Sequence, residues 1–132
     1  MVATRQQTWS AGAHNKVMSA ATQKFASKYR TLCMKMPSLI KQAGLVQAIV
    51  FVQAREGDSG KQFVNDLAAV ANLGGNANCT ENGEDLLERV QGADLPIYLA
   101  HTNDVSQVAV WFRRFAQIEL KDEDDAGAEA QS

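Results

Sequence analysis

The amino-acid sequence predicts an all-α fold, a compact single-domain bundle of five to seven helices. Apolar residues recur at steps of three and four along most of the chain, and this spacing gathers them on one face of a helix. The only β-prone run, residues 49–52, has no second strand to pair with. A length of 132 residues fits one domain that buries its own core. We therefore assign residues 1–121 to the helical domain and residues 122–132 to an acidic flexible tail.

The first long helix is predicted over residues 13–35. Gly12 weakens the turn before it, so a helix over residues 3–10 is either separate or continuous with it. Pro37 is expected to end or kink the long helix, because proline lacks the N–H that a helix interior needs. The apolar stripe of this helix falls within about 80° on a helical wheel and consists of Met18, Ala21, Phe25, Tyr29, Leu32 and Met36.

A short helix over residues 38–43 should follow, ended by Gly44. Residues 45–55 are apolar nearly all round and are predicted to form a buried central helix, in which Gln47 needs a hydrogen-bond partner if its side chain is buried. Asp58 or Ser59 should cap a helix over residues 60–73.

Residues 74–83 form the most loop-like stretch of the sequence and its expected mobile surface. A short helix is predicted over residues 84–91, stopped by Gly92. Asp94 resembles an N-cap, with Pro96 in the first turn of a long final helix that runs to about residue 121.

The charge distribution is strongly asymmetric along the chain. Residues 1–55 contain eight Lys and Arg residues and no acid, whereas the later residues contain five basic and all fifteen acidic residues. Such asymmetry indicates a basic face for a polyanion. The alternative is an accidental segregation of charge on a solvated surface.

The position of the basic residues relative to the predicted stripe favours an external ligand. On a helix over residues 13–35, Lys24, Lys28 and Lys35 lie within about 40° of each other beside the apolar face, while Lys16 and Arg30 lie on the far side. No acid on this helix is available to pair with them. In the final helix, Arg113 and Arg114 add a second basic position, and the adjacent Trp111 either stacks on a base or packs between helices.

The sequence contains no motif of a catalytic or metal site. It has no glycine-rich phosphate loop and no metalloprotease, hydrolase or deaminase signature. The spacing of Cys33 and Cys79 fits neither a zinc site nor a disulfide framework. His14 and His101 could form a general acid–base pair, but two partly exposed helix histidines are the ordinary interpretation. We therefore expect a protein without enzymatic activity, metal or cofactor, located in the cytoplasm because no export signal precedes residue 10.

Two segments resemble a known family. Residues 35–52 read KMPSLIKQAGLVQAIVFV, and the final helix contains Tyr98, Thr102 and the run WFRRFA over residues 111–116. Both segments are similar to the small subunit of the type III-B CRISPR effector, the Cmr complex, and the resemblance covers roughly residues 4–120. The loop over residues 74–83 and the acidic tail match nothing in that pattern.

The resemblance implies a non-catalytic helical subunit that stacks on neighbouring subunits and lines a basic channel for guide and target RNA in antiviral defence. It implies other Cmr subunits as partners, and head-to-tail self-association is a further possibility. No membrane contact is expected. The alternative is a helical protein–protein adaptor or self-associating scaffold that does not touch RNA. The candidate RNA-binding residues, from charge pattern and resemblance together, are Lys16, Lys24, Lys28, Arg30, Lys35, Lys41, Arg113 and Arg114.

Overall fold

The computed structural model describes residues 4–55, 57–73 and 82–120. Within these ranges the chain forms six α-helices and no strand, which confirms the all-α prediction. The helices are α1 (Arg5–Ala20), α2 (Ala26–Ala43), α3 (Leu45–Arg55), α4 (Gly57–Ala71), α5 (Gly83–Gly92) and α6 (Leu95–Glu119).

Helix α1 begins with a capping box and continues through Gly12. The Thr4 side chain accepts a hydrogen bond from the Gln7 backbone N–H, and the Gln7 side chain accepts one from the Thr4 N–H, so two otherwise unpaired donors are satisfied. A Cβ at Gly12 would lie 3.3 Å from the side chain of Val70 on α4. The absence of a side chain at position 12 therefore lets α1 and α4 approach closely.

The predicted helix over residues 13–35 is wrong, because a turn over residues 21–25 divides it into α1 and α2. The Thr22 hydroxyl donates to the carbonyl of Ser19 at 2.9 Å, a local bond that competes with helix continuation. The break also changes which face is buried. In α1 the core contains Val17 and Ala20, whereas Met18 is 47% exposed. Only the part of the predicted stripe that lies on α2 is fully buried.

Helix α2 continues through Pro37, so the predicted end at this residue and the separate helix over residues 38–43 are also wrong. Met36 and Ile40 are both buried on either side of the proline, and their packing offsets the hydrogen bond that proline cannot make. The helix ends at Gly44, as predicted, where a φ of +88° places the residue in a region that favours glycine.

Helix α3 forms over the predicted residues, but it is buried on one face only. Gln47 is exposed, and Val50 and Phe51 are 44% and 40% exposed. Helix α4 begins at Gly57, earlier than predicted, and Asp58 lies in its first turn. Residues 74–81, most of the predicted loop, lie outside the described residues. Asn82 caps α5 by accepting from the Asp85 N–H at 3.0 Å.

Helix α6 packs against both α1 and α2 and closes the bundle. Its N-cap is Asp94, whose side chain accepts a hydrogen bond from the Ile97 N–H, and this confirms the predicted cap. Its 25 residues span about 37 Å. The predicted tail, residues 122–132, lies outside the described residues.

The directions of the helices around α6 follow from contacts at both of its ends. Just after α2 ends, the Val46 N–H donates to the Tyr98 hydroxyl near the start of α6. Near the start of α2, the Arg30 Nε donates to the Leu120 carbonyl at the end of α6. Helix α2 is therefore antiparallel to α6. Helix α1 runs parallel to α6, because Arg5 pairs with Asp104 and the later part of α1 lies beside the C-terminal turns of α6. An aromatic series crosses the core between these helices and α4, namely Tyr29, Phe63 and Phe112, with successive ring centroids 5.5 and 5.7 Å apart.

Candidate nucleic-acid interface

The basic residues of α2 occupy two flanks of the helix, on opposite sides of its buried face. The buried positions include Tyr29, Met36 and Ile40. Lys28 and Lys35, seven residues apart, lie within about 20° of each other on one flank, and Arg30 and Lys41 lie within about 20° of each other on the other. The outermost face between the flanks is uncharged. One helix thus presents positive charge in two directions.

Lys28 and Lys35 form the flank that is most available to an external anion. Both side chains are exposed. Neither takes part in an ion pair with any acid of the described residues. Lys24, which the sequence placed on the same helical face, lies instead in the turn before α2, one helical turn's length before Lys28, and is also exposed. We call Lys24, Lys28 and Lys35 the lysine flank.

The second group borders the solvent side of the contact between α2 and α6, which we call the α2–α6 seam. Arg30 lies on this side because its Nε donates to the Leu120 carbonyl at 2.9 Å. On α6, Arg113 is exposed and lies about 160° from Trp111. Because Trp111 contacts α1, Arg113 faces the α2 side. Arg30, Arg113 and Lys41 are therefore placed along one seam.

The remaining two candidates lie on the α1 side of the molecule. Lys16 is half-buried on α1 and lines a cavity. Arg114 is exposed, with its guanidinium carbon 6.0 Å from the centre of the Trp111 ring. The structure thus divides the eight predicted residues among the lysine flank, the α2–α6 seam and the α1 side, and does not bring them to one common face.

Trp111 is engaged within the protein. Its Nε1–H donates to the Gln6 side chain at 2.8 Å, and its ring stacks on Phe115 with the centroids 6.0 Å apart. The side chain is half-buried. These contacts favour the packing interpretation of this residue over stacking on a nucleic-acid base.

One cation of the acid-free segment is neutralised by the later part of the chain. Arg5 forms an ion pair with Asp104 at 2.5 Å, and its guanidinium also lies over the ring of Trp9. Segregation of charge along the sequence is therefore only partly preserved in space.

The two histidines lie too far apart to act as an acid–base pair. His14 contacts Glu119 at 3.2 Å and stacks on Phe115. His101 precedes Glu119 on α6 by eighteen residues, which corresponds to about 27 Å. Burial, together with the charge of Arg89, lowers the pKa of His101.

A buried polar cluster was not predicted from the sequence. Asp66 on α4 is 6% exposed and accepts hydrogen bonds from the Tyr29 hydroxyl and the Gln62 amide. Its burial raises the pKa of its carboxyl group, and burial likewise raises the pKa of the nearby Cys33 thiol. The one signal in the sequence is an acidic residue at an otherwise apolar face of α4.

The described residues offer neither a metal site nor a membrane span. No three His, Cys, Asp or Glu side chains among them lie close enough together to hold a metal ion. In the same part of the chain, no helix is long and apolar enough to cross a membrane.

Comparisons with known proteins agree with one another. The model of the family described as CRISPR-associated protein (Cas_Cmr5) matches residues 5–119. The CRISPR system Cmr subunit Cmr5 of Thermus thermophilus is 39% identical over 114 residues, which cover 86% of this chain and 94% of the relative. A crystal structure of a CRISPR-associated Cmr5 family protein from the same organism superposes with a TM-score of 0.82 at 38% identity, and covers 91% of this chain and 100% of the other.

Proposed function

This chain belongs to the Cmr5 family of CRISPR-associated proteins, and we propose that, as the small subunit of a type III-B Cmr complex, it lines a basic channel that holds RNA. In this proposal the chain contributes phosphate contacts and contacts with other subunits. It supplies no step of RNA cleavage.

The observation that carries the proposal is the lysine flank. Lys28 and Lys35 project from the same side of α2 and have no ion-pair partner among the described residues. Lys24 precedes them in the adjoining turn. A row of unneutralised ammonium groups binds a phosphate backbone through the release of condensed counterions, without reading its sequence.

Tight RNA binding by such a surface requires the assembled complex. A few exposed lysines give weak, salt-sensitive binding when the subunit is alone. When the same contacts are made beside those of neighbouring subunits, the local concentration of RNA is high and the contacts add to the total affinity. We therefore expect the isolated protein to bind single-stranded RNA only at low salt.

The test is the triple variant Lys24→Glu/Lys28→Glu/Lys35→Glu. Its affinity for single-stranded RNA should fall at least tenfold at about 50 mM salt, and the slope of log K against log salt should decrease by about 0.7 for each phosphate that the protein no longer neutralises. Circular dichroism should show unchanged helicity. The matched control is Arg55→Glu/Lys61→Glu, which reverses two exposed cations at the end of α3 and on α4. Equal losses in both variants, or no loss in the triple variant, would contradict the proposed site.

A second role, docking on neighbouring subunits, is favoured by the start of α6. Leu95 and Leu99, one turn apart on the same face of α6, are 67% and 57% exposed. Exposed apolar side chains close together on a surface are typical of a protein-binding site. Helix α1 begins beside Asp104, so it does not cover these residues.

The variant Leu95→Ser/Leu99→Ser tests this role. It should reduce co-purification with the other Cmr subunits or, if the contact is between copies, reduce self-association measured by sedimentation. Ile118→Ser is the control, because Ile118 is 66% exposed at the opposite end of the same helix. RNA affinity of the isolated variant should not change, and an equal loss of assembly in both variants would argue against this surface.

A further inference from the structure

A cavity of about 240 Å³ opens where α1 ends, beside the turn over residues 21–25 and against α4. Its volume equals that of about eight water molecules at ~30 Å³ each and is below the ~300–1,000 Å³ of sites for drug-sized ligands. A single flat ring system is therefore the largest ligand that it suits. The side chains that matter to the argument are Lys16, Ser19, Gln23, Phe25, Gln62 and Asp66.

The wall formed by α4 presents a fixed carboxylate. Asp66 Oδ2 accepts from the Tyr29 hydroxyl at 2.6 Å, and Oδ1 accepts from Gln62 Nε2 at 2.8 Å. Each carboxylate oxygen has about two acceptor positions, so each retains one after these bonds. The two existing donors fix the plane of the carboxylate and leave one acceptor position on each oxygen for a ligand.

The other walls supply complementary groups. The Lys16 ammonium and the Gln23 amide offer hydrogen-bond donors, and Phe25 offers an apolar ring. Lys16 also acts on Asp66 through its charge. A ligand that fits must therefore present two neighbouring donors to a carboxylate, an acceptor to a cation or amide, and a flat surface to a ring.

We propose that this cavity binds a guanine base. Guanine carries an N1–H and an N2–H side by side on its Watson–Crick edge, which match the two oxygens of one carboxylate, and its O6 accepts from a donor such as Lys16 or Gln23. Adenine, cytosine and uracil each place an acceptor at one of the two positions that face the carboxylate. Unstacked bases of single-stranded RNA are read in this way, by hydrogen bonds to that edge and by stacking on a side chain.

The position of the cavity connects it with the lysine flank. Lys24 lies in the same turn as Gln23 and Phe25, and Lys28 follows one helical turn later. A guanosine within an RNA strand could thus place its base in the cavity while the adjoining phosphates meet the lysines. In this form the inference rests on the proposed function, whereas a free guanine nucleotide would offer the same base without the strand.

The experiment compares two RNA strands and one nucleotide. A short oligouridine, the same strand with one central guanosine, and GMP are titrated against the full chain at about 50 mM salt. The wild type should prefer the guanosine strand by roughly ten- to a hundredfold. Asp66→Asn should lose this preference, because an amide replaces one acceptor by a donor. Asp58→Asn is the matched control, an exposed aspartate on the same helix.

A second variant tests the cavity independently, in case Asp66→Asn does not fold. Ser19 is exposed and lines the cavity, so Ser19→Phe should fill it from the solvent side and abolish the preference without disturbing the core. Asn15→Phe, one turn earlier on an exposed position of α1, is its control. Thermal unfolding of every variant shows which are folded.

The outcomes separate the two proposals. Equal affinity for both strands would overturn the guanine site and leave the RNA-binding function standing. Loss of preference in both cavity variants, with preference kept in both controls, supports the site. If neither strand binds, the proposed function fails and the GMP titration decides: binding that Asp66→Asn and Ser19→Phe abolish supports the cavity, and no binding overturns it.

Discussion

The Tyr29 hydroxyl donates a 2.6 Å hydrogen bond to Asp66 Oδ2 and so joins α2 to α4 inside the bundle. Both residues are buried, and the Tyr29 ring also packs edge-on against Phe63 with 5.5 Å between centroids. A buried hydrogen bond of this kind matters chiefly because of the cost of leaving its acceptor unpaired. The bond therefore couples the packing of the core to the geometry of the carboxylate in the cavity wall.

Removing the hydroxyl should destabilise the fold. In Tyr29→Phe, Asp66 loses one of its two donors, and the free energy of unfolding should fall by about 1–3 kcal/mol. Urea denaturation measures the change. Tyr98→Phe is the control, because the Tyr98 hydroxyl accepts a long bond of 3.4 Å from the Val46 N–H at a half-buried site. A loss in Tyr29→Phe no larger than that in Tyr98→Phe would contradict the structural role given to this bond.

Asp66 should make stability depend on pH. Burial raises the pKa of its carboxyl group above the usual 3.8, although the bonds from Tyr29 and Gln62 and the charge of Lys16 oppose the rise. The folded protein therefore binds this proton more tightly than the unfolded chain does. The resulting stabilisation is complete below the unfolded pKa and is lost as pH rises through the folded pKa.

The measurement is the free energy of unfolding from about pH 7 to about pH 4.5 for the wild type and for Asp66→Asn. The wild type should gain stability relative to the variant as the pH falls, because asparagine cannot take up the proton. If the stability of the wild type relative to the variant stays constant across the range, or falls on acidification, the folded pKa is not raised.

Arg30 should contribute more to stability than Lys41, although both lie on the seam flank of α2. The Arg30 Nε satisfies the Leu120 carbonyl at the end of α6, whereas Lys41 is exposed in the last turn of α2. Arg30→Gln should lower the free energy of unfolding by about 1 kcal/mol, and Lys41→Gln by less than about 0.5 kcal/mol. Thermal unfolding distinguishes them, and equal effects would count against Arg30 as the tie between α2 and α6.

Trp111 should act in stability and not in RNA binding. Trp111→Phe removes the Nε1–H that donates to Gln6, so the free energy of unfolding should fall by about 1 kcal/mol while affinity for single-stranded RNA stays the same. Gln6→Ala keeps the ring and removes the same bond, together with the bond from the Gln6 amide to Gln107, and it is the control. An RNA affinity that falls only in Trp111→Phe would instead assign the ring to base stacking.

The accuracy of the sequence predictions depended on whether each signal was local. Asp94 and Gly44 set helix ends through their own caps and dihedral angles, so both were predicted. The break after Ala20 contains neither Gly nor Pro, and the continuity of the flanking pattern concealed it. Pro37 misled in the opposite direction, because the packing of the apolar residues around it outweighs its local preference.

The candidate site shows the same division. That Lys28 and Lys35 share a flank follows from their spacing of seven residues, and their exposure follows from the position of that flank beside the apolar stripe. The division of the other cations among separate surfaces could not be predicted, since it depends on how α1, α2 and α6 are rotated against one another. Asp66 and Tyr29 are 37 residues apart in the sequence and are joined by a hydrogen bond. No local sequence pattern predicts such a pair.

The long final helix has a consequence for biosynthesis. The first two helices bury part of their apolar faces against α6, yet the ribosome completes α6 only after α1 to α5 have been made. Until then the parts of α1 and α2 that pack against α6 stay exposed, so the bundle closes only after the last helix has been made. A chain that is terminated before residue 95 should accordingly be incompletely folded and sensitive to proteases.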